Sequence, residues 1–162
     1  MFKKIWQSIT SIFSSKEQLP EGDYLDIDVS WGGYYAATSE GSDEISIFRI
    51  LDFNRQSYQI AIFQEKFTSI PSFEEVASLS PFIGHAPLTT SALLNHNKVV
   101  LLGHKALTES DLAGYKYYLE EMGAADDAIQ ELFKTVLTLT QEPTLKLRLY
   151  AEGEELKLQP LA

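Results

Sequence analysis

Three histidines, His85, His96 and His104, are the residues of this sequence best suited to chemistry, since imidazole exchanges a proton near neutral pH and binds metals readily. Their separations of 11 and 8 residues match neither a zinc-ligand pattern nor the paired histidines of a zincin helix, so no metal centre is expected. His104 is the candidate general base. It follows the apolar run Val99 to Leu102 at a strand end, where sheet proteins often place site residues, and Glu109 and Asp111 come soon after it. A small hydrolase or ligand-binding domain using His104, with His85 in the same region, is therefore one reading. It lacks a nucleophile: there is no cysteine and no GxSxG serine, and neither GxxxxGK(S/T) nor GxGxxG is present to hold a phosphate. No cofactor is expected, and a non-enzymatic role is favoured over catalysis.

Carboxylates are the second resource. Glu120-Glu121, Asp126-Asp127 and Glu154-Glu155 are adjacent pairs, and adjacent residues do not share a helix or strand face, so these read as solvated charge and not as paired catalytic acids. Aromatics accompany them, with Trp31, Tyr34 and Tyr35 in one region and Tyr115, Tyr117 and Tyr118 in another. Tyrosine and tryptophan bury large area at low entropic cost and are enriched in recognition surfaces. Tyr117, Glu120, Glu121, Asp126 and Asp127, with Trp31 and Tyr35, are therefore the expected partner-binding residues. On a helical wheel Tyr117 falls opposite Leu112, Tyr115 and Leu119, which predicts that it is exposed.

The charge agrees with a protein partner of opposite sign. Among 162 residues, 13 are basic and 23 acidic, a formal net charge of −10, which disfavours binding to nucleic acid through a basic surface. A basic protein partner is expected. Small, acidic, cysteine-free α+β proteins include toxin-neutralising immunity proteins and secretion chaperones; the likeness is one of type, and a neutralising role of that sort fits it. Without cysteines there is no disulfide framework. No run approaches the ~18 apolar residues of a spanning helix and no secretory segment is evident near Met1, so the expected location is cytoplasmic.

The first residues differ from the rest. Residues 1–16 hold Lys3, Lys4 and Lys16 and no acid. Phe2, Ile5, Trp6, Ile9, Ile12 and Phe13 fall within an arc of roughly 120°, an amphipathic helix that either docks on its own domain, enters a partner groove or lies on a membrane surface. Residues 1–18 are assigned to this helix, and a peripheral membrane adaptor anchored by it is the alternative reading of function.

Residues 19–162 are assigned to one α+β domain, since a chain 44% apolar and of this length builds one ordinary core. Alternation at Leu25, Ile27 and Val29, then runs at 31–38, 45–53 and 58–63 with short polar connections, predict an antiparallel meander. Leu145, Leu147 and Leu149, followed by AEGEE and then Leu156 and Leu158, predict a terminal hairpin. Three to four helices complete the expectation. Ser72 with Glu75 starts a short one, Thr108 with Asp111 starts another that Gly123 ends, Ile129 to Leu137 marks a third, and Thr90 to Leu94 adds a turn. Val99 to Leu102 reads as a strand buried on both faces, with the helix over 112–122 packed on it and Leu112, Leu119 and Val100 in the core.

Overall fold

The computed structural model describes residues 24–38, 41–53, 57–89, 98–142, 145–152 and 155–160, with side chains described over 29–38, 41–53, 57–89 and 99–142. The expected helix at 2–13, the turn at 90–94 and His96 lie outside the described residues. Strands β1 (Tyr24–Val29), β2 (Gly33–Thr38), β3 (Ile45–Phe53) and β4 (Ser57–Phe67) precede helix α1 (Phe73–Ala77). Then come β5 (Ile83–Thr89), β6 (Lys98–His104), a 3-10 turn (Ser110–Leu112), α2 (Ala113–Glu121), α3 (Asp126–Leu139), β7 (Leu145–Glu152) and β8 (Glu155–Pro160). The class is α+β.

The strands form two antiparallel sheets, a five-stranded one in the order β5-β4-β3-β2-β6 and a three-stranded one in the order β1-β7-β8. This corrects the expected meander plus hairpin. β1 leaves its sequence neighbours and pairs with β7 from Tyr24↔Tyr150 to Val29↔Leu145, while β6 returns to pair with β2. The helix count is at the low end of the expectation, with three α-helices and one 3-10 turn among the described residues.

Both faces of the five-stranded sheet are covered. On one, Tyr35, Phe48, Ile50, Ile60 and Leu88 pack with Leu112, Tyr115 and Val136 of the helical layer. On the other, Tyr34, Ile47 and Phe63 pack with Val76 of α1, flanked by Phe73 and Leu102. Strand pleating explains the split, since Tyr34 and Ala36 point one way and Tyr35 and Ala37 the other. Irregular register between Ile50 and Asp52 lets the adjacent residues Ile50 and Leu51 both join the first cluster.

β6 is an edge strand, not a central one, and Val99 is 36% exposed while Val100 and Leu101 are half-buried. Helix α2 packs mainly on β5 at the opposite edge, which corrects its expected seat on β6. Leu112 is fully buried, Leu119 and Val100 only in part.

Local signals set the helix ends. Ser72 Oγ accepts from Glu75 N at 3.2 Å while Glu75 Oε1 accepts from Ser72 N at 3.2 Å, a reciprocal capping box. Thr108 and Asp111 form the same pair, with Thr108 N donating to Asp111 Oδ2 at 2.9 Å, and a 3-10 turn precedes the α-helix proper. Gly123 ends α2 at φ 87°, with Ala124 N donating to Leu119 O and Gly123 N to Glu120 O, both at 3.0 Å. Left-handed backbone suits a residue without Cβ, and the two bonds satisfy carbonyls that the helix end would otherwise leave open.

Candidate functional site

The polar interior is built on β3, whose sequence places Arg49 and Asp52 in an otherwise apolar run. Arg49 is 5% exposed, and a guanidinium at that depth needs all its donors directed at acceptors. Its Nε donates to Gly32 O at 3.1 Å and its Nη2 to Lys105 O at 2.7 Å, while Nη1 lies 3.3 Å from Asp111 Oδ1. The Tyr34 ring lies beneath it, 4.7 Å from centroid to guanidinium carbon. One side chain thus ties the β1–β2 turn, the segment after β6 and the 3-10 turn to the middle of the sheet.

Asp52 is 8% exposed and is held by three donors. Oδ1 accepts from Trp31 Nε1 at 3.0 Å and from Phe53 N at 2.8 Å, and Oδ2 accepts from the Tyr115 hydroxyl at 2.8 Å. Burial, together with this neighbouring carboxylate, holds the Tyr115 phenol far above its ordinary range, so it stays the donor. Tyr34 is also raised by burial, with Arg49 opposing.

His85, 2% exposed, lies next to this network. Gln59 Nε2 donates to Ser57 Oγ at 3.1 Å, which turns its Oε1 toward His85, where Nε2–H donates across 2.6 Å. The imidazole stacks on Tyr115 with centroids 5.0 Å apart at 12° and meets Tyr118 at 4.6 Å and 36°. Burial lowers its pKa from 6.5 to about 4, so the desolvation of the imidazolium outweighs any attraction between cation and rings. At neutral pH the ring is uncharged.

His104, the candidate general base of the hydrolase reading, has its Nε2 3.0 Å from Trp31 O, a carbonyl that can only accept. The same carbonyl accepts from Thr140 Oγ1 at 2.6 Å, and that hydroxyl accepts from Leu107 N at 2.9 Å. This is a tether between the β1–β2 turn, β6 and the end of α3. Among the described residues no group of three or more histidines and acids is placed to hold a metal ion.

The residues expected to bind a partner separate into two sets. Trp31 and Tyr35, at 6% and 3% exposure, are core residues: Trp31 anchors Asp52, and Tyr35 stacks on Phe48 at 5.2 Å and accepts from Ser30 N through its hydroxyl. Tyr117, Glu120, Glu121, Asp126 and Asp127 are all exposed at the α2–α3 turn. Tyr117 is 58% and Met122 68% exposed, and Tyr117, Glu120 and Glu121 share one helix face by their spacing of three and four. Asp126 and Asp127, in the first turn of α3, follow the Gly123 turn in sequence and are exposed as well. Met122 shares the helical spacing of Leu112, Tyr115 and Leu119, which predicts burial, yet at the C-cap of α2 it is exposed. Arg49, Asp52 and Gln59 were also missed, although a charge set among strand apolars was a usable signal for the first two. No helix among the described residues is long and apolar enough to cross a membrane. Compared with known proteins, the chain matches no protein-family model, no curated protein and no solved structure.

Proposed function

We propose that the chain is a non-enzymatic interaction protein whose α2–α3 turn docks a basic protein. The observation that carries this is that Tyr117, Glu120, Glu121, Met122, Asp126 and Asp127 are all exposed within the short stretch 117–127. Large side chains held mostly in water along a helix are available to supply the desolvated centre that an interface needs. Carboxylates around that centre steer a cationic partner and reject an anionic one. A partner with arginine or lysine around an apolar knob is the complement.

The test uses the full chain as bait. Proteins retained by wild type and lost with Glu120→Lys/Asp127→Lys are purified, and their binding kinetics are measured. The reading expects a basic partner whose association slows as salt rises, because the screening length falls from ~10 Å at 0.1 M to ~3 Å at 1 M. Charge reversal should slow association, and Tyr117→Ala should speed dissociation. A partner whose kinetics are indifferent to salt and to both changes sinks the proposal.

A second reading rests on the apolar arc of residues 2–13 and their lysine neighbours, which suit attachment to a membrane surface. Co-sedimentation with anionic liposomes by the full chain, lost on deletion of residues 1–18, is its expected result. Equal sedimentation of both forms rejects it.

A further inference from the structure

The contact between α2 and β5 is built around His85 in a way that neither the docking surface nor the core requires. Gly114 sets the helix directly on the strand: a Cβ there would lie 3.2 Å from the Gly84 carbonyl carbon and 3.2 Å from His85 Cβ. The imidazole is then closed in by Tyr115 and Tyr118 of the same helix, one turn apart. β4 contributes the neutral amide of Gln59, and Phe133 of α3 backs Tyr115 at 5.5 Å. Among the described residues in contact with the ring, the titratable groups are the two phenols, with the Asp52 carboxylate behind the Tyr115 hydroxyl. At 2% exposure the imidazole meets little water while α2 is seated on β5.

We infer that His85 is an acid-sensitive latch: uptake of a proton by its ring releases α2 from β5 while the five-stranded sheet stays folded. A histidine enclosed by a helix on one side and a sheet on the other couples its protonation to separation of the two, because the imidazolium is solvated only in the separated state. Burial lowers the proton affinity of the closed form, with a pKa of about 4 against 6.5 for a free ring. Linkage then gives the sign. Above pH 6.5 both forms are neutral and acidity has no effect; below it the open form binds the proton first and is favoured. At pH 5.5 the open population should be about tenfold that at pH 7.5. This inference is independent of what binds the α2–α3 turn, since it concerns the opposite face of α2.

Native-state amide hydrogen exchange of the full chain, corrected for intrinsic rates and compared at pH 7.5 and 5.5, tests it. The expected result is an increase of about tenfold in the opening of residues 115–121, with β3 and β4 amides unchanged and no such increase in His85→Gln. Should that variant fail to fold, the same question is answered in wild type by NMR titration of the His85 ring. A ring that stays neutral to below pH 5 in the closed protein supports the latch. The inference is overturned by a ring that titrates above about pH 6, by equal acid response in wild type and His85→Gln, or by sheet amides opening together with the helix.

Discussion

Charged side chains occupy two regions of this molecule under opposite rules. On β3, Arg49 and Asp52 are nearly sealed from water, and apart from the bond between Phe53 N and Asp52 Oδ1 the hydrogen bonds described for them join segments distant in sequence. At the α2–α3 turn, Glu120, Glu121, Asp126 and Asp127 are exposed, and the one side-chain bond described among them, Asp127 Oδ1 accepting from Ala128 N at 2.9 Å, is to the next residue. Inside, a charge must be matched donor by acceptor, so it fixes one arrangement of chain. Outside, a charge costs little to keep and leaves its field available to something else.

The contrast can be broken first at Arg49. Replacing it with methionine should lower stability by about 3 to 5 kcal/mol in urea unfolding, since Lys105 O loses its side-chain donor, Gly32 O keeps only Lys105 N, and Asp111 loses its partner. Arg49→Lys should recover only part of this, as an ammonium cannot bridge three separate acceptors. A loss under 1 kcal/mol would mean that water reaches the site.

Acid supplies the next test. His85 has its proton affinity lowered by folding, so its contribution to stability is complete above pH 6.5 and falls away toward pH 4. The full loss is about 3 kcal/mol between those limits. The pH dependence of unfolding in His85→Gln should be flatter than in wild type by that amount; parallel curves would remove His85 from the account.

Tyr115→Phe sharpens the comparison more gently. It leaves Asp52 Oδ2 buried without its hydroxyl donor and should cost about 1.5 to 3 kcal/mol, the range for a hydrogen bond to a charged group. Smallest of all, reversing Glu120 and Asp127 should change stability by less than about 0.5 kcal/mol, as exposed charges do. If thermal unfolding shows that this pair matters as much as Tyr115, the two regions obey one rule after all.

Local chemistry was legible in the sequence where neighbours decide it. The Ser72–Glu75 box, the Thr108–Asp111 pair and the Gly123 cap are each completed within a few residues, and each forms at its expected place. Strand order was not legible. The run Val99 to Leu102 reads as central because it is apolar on both sides, yet that pattern reports coverage of both faces: Leu101 packs on one cluster and Leu102 on the other, at an edge. Trp31 and Tyr35 misled for a related reason, since an aromatic ring with a polar end suits an interface and a buried hydrogen bond equally. Tyr117 was distinguishable only because helical spacing set it against its own buried stripe.

The pairing of β1 with β7 has a consequence for the order in which the protein can be made. Tyr24 and Tyr150 face each other across 126 positions of sequence, so β1 leaves the ribosome long before the strand it needs. At synthesis rates of about 5 to 20 residues per second the wait is roughly 6 to 25 s. Before it ends β2 to β6 can already assemble, whereas β1 presents an unpaired backbone to its surroundings. The three-stranded sheet is thus the last part of the chain able to form, and the interval before it closes is the period in which β1 is open to pairing with another nascent chain.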